Sequence, residues 1–516
     1  MYSRVLTGSL YGLSAEQTWA EVDSDTGLPA FNIVGLANQS IREAKERIRS
    51  AMENSGFKFP ARRITVNLTP AGRRKGGSHY DLAIAVGLLI CCGLDIDRKA
   101  LSELESGETA FLGELTLDGR ISSVDGALPL VIGLKEKGVR RVVLPEGNLK
   151  EAMLVKDMEL LPAADLKACA QHLSGFERLE KHIGSGASAG YHDRDIPDFS
   201  DIKGQEGIKR AAQLAAAGMH GMLMMGPPGV GKSMVGRRIP GLLPPLSYEE
   251  QLEVTQVYSV AGELSAEKPL ITERPFRAPH HSISASALVG GGPLARPGEV
   301  SLAHCGVLFL DELPEFNSAA LQSLRTPLED GAVSINRVGA RVVYPARFML
   351  VAAMNPCRCG YYGDPVKECS CTETERKRYM GRISGPLLDR IDLHVSLERL
   401  IYDEVSVGSD APGSSTADLK EGVAAAIRMQ QERYRDEEIR FNSQLTAPMI
   451  EKYCRTDRHG GELLKTAYEK YDLSARAYHR ILKLARTAAD LAGSGDIEEM
   501  HVLEALRYRF PEDLRR

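Results

Sequence analysis

The chain has 516 residues, of which 43% are apolar and 26% are charged. At roughly 100–200 residues a domain, this length suffices for several domains with separate cores, and the composition excludes a disordered tail or a coiled-coil rod. The 64 Lys and Arg against 69 Asp and Glu give a net charge of −5. This excludes a surface that is basic all over, so any contact with nucleic acid must be confined to a patch or channel.

Nothing in the chain predicts export or a membrane anchor. The longest weakly polar run, 82–94, is shorter than the roughly 18 residues that a bilayer span needs. No tripartite leader opens the chain. Nine cysteines, an odd number, do not suit a disulfide framework. We therefore expect a cytoplasmic protein with no membrane partner.

Composition divides the chain into three blocks joined by two linkers. Residues 1–174 alternate short β-rich runs with helical stretches. Residues 199–400 repeat strand, Gly-rich turn and helix, which implies a parallel sheet with helices on both faces. Residues 419–516 carry helical periodicity with almost no strand signal. The predicted linkers are 175–198 and 401–418, and the predicted class is a multidomain α/β protein.

The most specific motif is a phosphate-binding loop at residues 226–233. It follows an apolar strand at 222–225 and precedes a helical run, which is the context that such a loop requires. Glycines let backbone N–H groups surround phosphate oxygens, and the helix N-terminus adds a favourable dipole. We expect Lys232 to reach the β- and γ-phosphates and Ser233 to coordinate Mg²⁺. The predicted nucleotide-binding residues are Gly226, Pro227, Pro228, Gly229, Val230, Gly231, Lys232 and Ser233.

Two further apolar strands end in polar residues that suit the same site. The run 307–310 ends in Asp311 and Glu312. Parallel strands deliver their last residues to one sheet edge, so we expect Asp311 to hold Mg²⁺ through water and Glu312 to activate the attacking water. The run 348–354 ends in Asn355, whose carboxamide could orient that water or the γ-phosphate. Hydrolysis of ATP or GTP is the predicted reaction.

Beyond the nucleotide site, the segments that carry a family resemblance are 276–282, 351–356, 357–363 and 384–392. With the motifs above, they resemble the YifB/ComM group of magnesium-chelatase-like AAA+ ATPases over essentially the whole chain. The resemblance implies that Asn355 is sensor 1 and that Arg390 is an arginine finger acting on a neighbouring subunit's nucleotide. It also implies that Arg476, at the start of a lid helix, is sensor 2, with Arg480 as its nearest rival. A finger supplied in trans requires an oligomer, and the family implies a hexameric ring.

Two segments between strands are longer than a minimal connection. One runs from 270 to 296. The other, 331–347, alternates in polarity around a Gly-containing turn, which predicts a β-hairpin. The resemblance implies that these are the helix-2 insert and the pre-sensor-1 hairpin, which line the pore in this branch. Arg337, near the hairpin tip, would then contact DNA phosphates in a salt-sensitive manner; a solvated surface arginine is the alternative.

Four cysteines form two Cys-x-Cys pairs separated by nine residues: Cys357, Cys359, Cys369 and Cys371. Four thiolates can close a tetrahedral Zn²⁺ site, and the metal would order a loop that has no core of its own. The spacing is not the commoner Cys-x₂-Cys. Free thiols or a redox-labile pair are the alternatives.

The N-terminal block raises the question of a peptidase. Residues 110–120 and 140–145 resemble the Lon-protease-like domain with its ribosomal S5-like α+β fold. A Ser/Lys dyad is not evident, because His79 occupies the position of the nucleophile and only Ser78 with Lys135 remains as a formal pair. Protease activity is therefore not expected. Residues 42–75 carry ten Lys and Arg against three Asp and Glu, which predicts either a solvated face or a DNA-contacting collar.

These observations predict an AAA+ ATPase that couples ATP hydrolysis to translocation on single-stranded or branched DNA. The family resemblance narrows this to a branch-migration helicase of recombination and natural transformation. We expect a homohexamer that uses ATP and Mg²⁺, with Zn²⁺ at the four cysteines. The alternative is a Mg-chelatase-like ATPase that remodels proteins and has no DNA substrate. The Lon-like block and the lack of an integrin-like partner module favour the DNA motor.

Overall fold

The structure is a computed structural model. It describes residues 1–35, 39–70, 72, 75–186, 196–265, 267–292, 295–337, 340–399 and 414–509. A mixed eight-stranded sheet is followed by an all-parallel five-stranded sheet and then by a helical region. The predicted multidomain α/β class is thus confirmed, with a parallel sheet of AAA+ type. In the described part of the chain, no helix combines the length and hydropathy that a bilayer crossing requires.

Strands of the first sheet are β1 (Tyr2–Tyr11), β2 (Ser14–Asp25), β3 (Ala30–Val34), β4 (Arg63–Thr69), β5 (Thr109–Phe111), β8 (Arg141–Pro145), β9 (Glu159–Ala163) and β10 (His182–Ile183), with a separate short pair of β6 (Glu114–Leu115) and β7 (Ile121–Ser122). Their order is β10-β9-β8-β5-β1-β2-β4-β3. The accompanying helices are α1 (Gln39–Asn54), α2 (Asp81–Cys91), α3 (Arg98–Glu105), α4 (Ala127–Glu136), α5 (Leu149–Ala152) and α6 (Leu166–Ser174). Helix α2 is apolar on all sides, and it is therefore buried against β1 and β2.

The second sheet consists of β11 (Met222–Met225), β12 (Phe276–Arg277), β15 (Val307–Leu310), β18 (Met349–Met354) and β19 (Leu393–Ser396). All its strands run parallel in the order β12-β15-β18-β11-β19. The three inner strands are wholly buried, as is typical of a parallel sheet covered on both faces. The carboxyl ends of β15, β18 and β11 therefore meet at one edge.

The remaining elements of this region surround that sheet. Its helices are α7 (Glu206–Gly218), α8 (Lys232–Leu242), α9 (Tyr248–Ala261), α10 (Ala285–Val289), α11 (Glu299–Leu302), α12 (Ser318–Ser323), α13 (Arg325–Asp330), α14 (Glu373–Met380) and α15 (Gly385–Leu388). The two small hairpins are β13 (Gly290–Gly291) with β14 (Arg296–Pro297), and β16 (Ala332–Arg337) with β17 (Ala340–Pro345). The second of these confirms the hairpin predicted at 331–347.

The C-terminal region is helical, as predicted: α16 (Thr416–Arg433), α17 (Ala447–Tyr453), α18 (Arg458–Tyr471), α19 (Ala475–Leu491) and α20 (Glu499–Arg509). Its apolar faces share one core with α7 and the parallel sheet. Asp490, fully buried, accepts hydrogen bonds from Arg433, Arg486 and Asn442, so its charge is compensated. This network fixes α19 against α16.

The structure differs from the expected linkers at two points. Residues 182–183 lie in the predicted linker 175–198 but form edge strand β10 on β9. Helix α16 begins at Thr416, inside the predicted linker 401–418, because Ser415 and Asp418 form a capping box. Local capping therefore outweighs the Gly- and Ser-rich composition there. The domain boundaries themselves remain predictions.

The N-terminal region, which contains the eight-stranded sheet, packs against the hairpin β16–β17 of the region that contains the parallel sheet. Val342 and Tyr344 of β17 form an apolar cluster with Leu10 of β1 and Val260 of α9. At the same junction, Ser259 donates a hydrogen bond of 2.8 Å to the buried carboxylate of Glu151. The N-terminal block is thus in direct contact with the base of the hairpin.

Candidate nucleotide-binding site and cysteine cluster

The loop between β11 and α8 has a backbone that glycine alone adopts without strain. Gly229 and Gly231 have φ of +85° and +90°. A Cβ added at either would meet nothing within 4 Å, so conformation rather than crowding requires glycine. Gly231 immediately precedes α8, whose first N–H groups have no partner within the helix. This arrangement suits a phosphate group.

Lys232 is the first residue of α8 and is only 9% exposed. Its Nζ donates hydrogen bonds to the carbonyl oxygens of Gly226 and Pro227, at 2.7 and 2.8 Å, and to Asn355 Oδ1 at 3.0 Å. Burial lowers the pKa of Lys232 to about 8, although the carboxylates of Asp311 and Glu312 oppose that shift. The ammonium group is therefore held at the loop by neutral oxygens, which an anionic ligand could replace.

Asp311 lies at the end of β15, beside the start of α8. Ser233 Oγ donates a hydrogen bond of 2.5 Å to Asp311 Oδ2. A hydroxyl and a carboxylate in contact are hard oxygen donors of the kind that Mg²⁺ prefers, so these residues fit the ion. Glu312, next in the chain, has φ of +53° and a side chain that is 57% exposed. Its carboxylate is therefore open to solvent beside the loop.

His281 was not among the predicted site residues, although it lies beside Glu312. Its Nδ1 is 3.5 Å from Glu312 Oε2. His281 follows β12, the neighbour of β15, so both residues leave the same sheet edge. Had the pairing of β12 with β15 been known, the position of both residues after their strands would have predicted that His281 lies near Glu312.

Arg390 lies at the opposite edge of the sheet from the phosphate-binding loop. It precedes β19, and the backbone N–H of Asp392 bonds to Gly221, just before β11. The four residues of β11 separate that edge from the loop by about 13 Å at roughly 3.3 Å per residue. Arg390 instead pairs with Glu329 at 2.5 Å.

Arg476 lies with Arg390 rather than with the loop of its own chain. It approaches the same carboxylate, Glu329, at 3.4 Å, whereas its predicted rival Arg480 pairs with Asp392 at 2.8 Å. Glu329 and the three arginines line one cavity, about 210 Å³ in volume, between α13, α17 and α19. None of the loop residues 226–233 lines it. The two predicted arginines therefore form one cationic group.

The four predicted cysteines converge after β18. Cys357 Sγ lies 3.3 Å from Cys359 Sγ and 3.6 Å from Cys369 Sγ, and Cys359 and Cys369 are 3.5 Å apart. The backbone N–H of Cys359 donates to Cys371 Sγ at 3.4 Å, and all four sulfurs lie within 4.8 Å of one another. Such sulfur atoms are too far apart for disulfides, which need about 2.05 Å, and they fit four ligands of one metal ion.

The remaining predicted residues are Arg337, the formal pair Ser78 and Lys135, and the basic stretch 42–75. Arg337 ends β16, but its side chain lies outside the described residues. Ser78 donates to the Glu114 carboxylate and Lys135 to a backbone carbonyl, so they form no dyad with each other. Lys75 is 2% exposed and donates to a backbone carbonyl. It therefore cannot belong to the predicted DNA-contacting collar, of which residues 73 and 74 lie outside the described residues.

Comparison with known proteins places the whole chain in one family. The families that match are "Subunit ChlI of Mg-chelatase" at residues 20–148, "Magnesium chelatase, subunit ChlI" at 198–405 and "Magnesium chelatase, subunit ChlI C-terminal" at 413–509. The chain is 42% identical to an uncharacterized protein of Mycobacterium tuberculosis, over 98% of both chains. It is 41% identical to competence protein ComM of Haemophilus influenzae, over 96% of this chain and 95% of the relative. It is 40% identical to YifB of Escherichia coli, over 98% and 97% respectively. The chain belongs to the YifB/ComM family of magnesium-chelatase-like AAA+ proteins, as its motifs predicted.

Proposed function

We propose that the chain is an AAA+ ATPase that couples ATP hydrolysis to translocation on DNA. The observation that carries the ATPase part is the meeting of Lys232, Ser233, Asp311 and Asn355 at one edge of the parallel sheet. An AAA+ family would use ATP and Mg²⁺, and these residues fit both. The DNA part rests instead on the hairpin β16–β17 and on the name of one relative, so the two parts can be tested separately.

Each residue at this edge has a role that its position supports. Lys232 exchanges its carbonyl partners for β- and γ-phosphate oxygens, and α8 presents its N–H groups to the same phosphates. Ser233 and Asp311 would hold Mg²⁺, which would neutralise the charge that develops on the phosphates. Glu312 accepts a proton from the water whose oxygen forms the new bond to the γ-phosphorus as the bond to ADP breaks. Asn355 orients that water or the γ-phosphate.

Completion of the site requires a neighbouring subunit. Arg390 and Arg476 share the partner Glu329, and Arg390 precedes β19 at the sheet edge that β11 separates from the phosphate-binding loop by roughly 13 Å. In a ring, this edge of one subunit can face the loop of the next. We propose that both arginines act on the neighbour's nucleotide and that the assembly is a homohexamer.

Two observations support DNA as the substrate. The hairpin β16–β17 carries Arg337 at the end of its first strand and exposes Arg341 on its second. One relative is named a competence protein, and we extend that association to this chain as a proposal. A hairpin arginine would contact the phosphate backbone without regard to sequence. We therefore propose a branch-migration helicase that acts in recombination and natural transformation.

Steady-state ATPase activity, with and without single-stranded, duplex and four-way-junction DNA over a salt series, tests this proposal. Stimulation by DNA that falls with salt is the expected result. The second candidate is a protein-remodelling ATPase, which the three matches to magnesium chelatase subunit ChlI favour. An ATPase that is indifferent to every DNA would contradict the DNA motor and favour this candidate. A protein with no ATPase activity would contradict both.

A further inference from the structure

The cysteine cluster is adjacent to the proposed nucleotide site, both in the chain and in space. Cys357 follows Asn355 by two residues, and the strand before them, β18, pairs in parallel with β11. The backbone N–H of Gly226 donates to the Met354 carbonyl at 3.3 Å, so this segment and the phosphate-binding loop leave the sheet side by side. The segment after Asn355 is therefore adjacent to the phosphate-binding loop.

The two segments also touch beyond the sheet. Gly360, between the cysteine pairs, has φ of +88°. A Cβ added there would lie 2.8 Å from Pro228 Cδ of the phosphate-binding loop and 3.8 Å from Asn355 Cγ. Real Cβ atoms do not approach another carbon at 2.8 Å, so glycine is required for this contact. The backbone of the cysteine segment is packed against the loop.

Hydrophobic packing contributes little to holding this segment in place. Cys357 is fully buried, but residues 361–371 add no side chain to the hydrophobic clusters, and their ion pair is that of the buried Asp364 carboxylate with Arg399, at 3.4 Å. A stretch of this length with no apolar core does not offset the entropy of ordering its backbone. A cross-link between the two ends of the segment would restrict its conformations and so lower the entropy cost of ordering it, in place of an apolar core.

The sulfur geometry identifies the cross-link as a metal ion. In a tetrahedral Zn²⁺ site with Zn–S bonds of about 2.3 Å, neighbouring sulfurs lie about 3.8 Å apart. The observed separations of 3.3, 3.5 and 3.6 Å are close to this value. The N–H of Cys359 that bonds to Cys371 Sγ would stabilise a thiolate at that position. Four thiolates without a hard oxygen donor select a soft or borderline ion such as Zn²⁺.

We infer that the four cysteines bind one Zn²⁺ and that the segment so closed buttresses the phosphate-binding loop through the contact of Gly360 with Pro228. The metal is structural, because all four positions of a tetrahedral ion are occupied by protein. The buttress rests on the proposed nucleotide site, whereas the metal site does not.

Metal content tests the first half. Protein purified under reducing conditions without chelator should contain about one zinc per chain by plasma mass spectrometry. The Lys232→Ala and Cys92→Ser variants should keep it, because neither residue is a ligand, and a Cys357→Ser/Cys359→Ser variant should lose it. If that variant does not fold, titration of the wild type with a mercurial should release about one zinc per chain to a chromogenic chelator. Metal-free wild type, or disulfides found by mass spectrometry of alkylated protein, would overturn the site.

Nucleotide affinity tests the second half. Gly360→Ala should keep its zinc and bind MgADP about tenfold more weakly in calorimetry, because the added methyl displaces Pro228. Gly493→Ala is the matched control: its φ is +71°, but a Cβ there meets nothing within 4 Å. Equal affinity in the two variants would overturn the buttress and leave the metal site intact. If the wild type binds no MgADP, the proposed nucleotide site and the buttress fail together, and zinc content still decides the metal.

Discussion

Replacement of Arg390 by alanine tests whether this arginine serves a neighbouring subunit. The edge that carries Arg390 is about 13 Å from the phosphate-binding loop of the same chain. Truncation should therefore leave nucleotide affinity within about threefold of wild type and lower kcat by about a thousandfold, the smaller end of the effect of an arginine finger. Its partner Glu329 is 44% exposed and stays solvated when the ion pair is lost, but the Arg390 side chain is only 6% exposed, so a urea unfolding curve must first show that the variant is folded.

The assay compares MgADP binding by calorimetry with steady-state ATP turnover. Arg458→Ala, which removes an arginine that is 87% exposed, is the matched control and should behave as wild type. Arg390→Ala and Lys232→Ala proteins, mixed before assembly, should recover about a quarter of the wild-type sites, because half of the loops and half of the fingers are intact and they combine at random. Full activity of Arg390→Ala alone, or a mixture no more active than its components, would refute the assignment.

Four further outcomes are expected. Lys232→Ala should abolish MgADP binding, whereas Glu312→Gln should bind MgADP normally and hydrolyse ATP about 10²–10⁴-fold more slowly; normal turnover in either would contradict its role. Burial lowers the pKa of His79 from 6.5 to about 4, so the unfolded chain binds its proton more tightly and up to about 3 kcal/mol of stability is lost as pH falls from 6.5 towards 4. Trp19, the single tryptophan, lies in the same region, and its fluorescence in urea should show this loss at pH 5, with a smaller loss in His79→Asn. Arg337→Ala should weaken DNA binding for all sequences alike and reduce the salt slope by about 1, and an unchanged slope would exclude a phosphate contact.

Local sequence pattern was enough to predict the sheet edge where the candidate nucleotide-binding residues meet. The loop 226–233 and the apolar runs before Asp311 and Asn355 each predict a strand followed by a polar end. Because parallel strands deliver their carboxyl ends to one edge, their sequence predicts that these ends meet, and Lys232 does contact Asn355. The hairpin at 331–347 was predictable for the same reason, since alternation and a turn are properties of adjacent residues.

Contacts between residues far apart in the chain could not be read in this way. Lys75 carries a charge in a basic stretch, yet the fold buries it. His281 lies beside Glu312 only because β12 pairs with β15. Residues 401–418 were predicted as a linker, but a helix begins at Thr416 because of a capping box, which overall composition does not reveal.

The sequence by itself determined the chemistry of this protein: the phosphate-binding loop, the acidic strand end, the four cysteines and the family. The tertiary structure decided which of these groups lie together. It placed Arg390 and Arg476 together on Glu329, away from their own loop, and it packed Gly360 against Pro228. The physical reason is that residue type and spacing set local conformation and reactivity, whereas strand order and helix packing set which distant groups share a site.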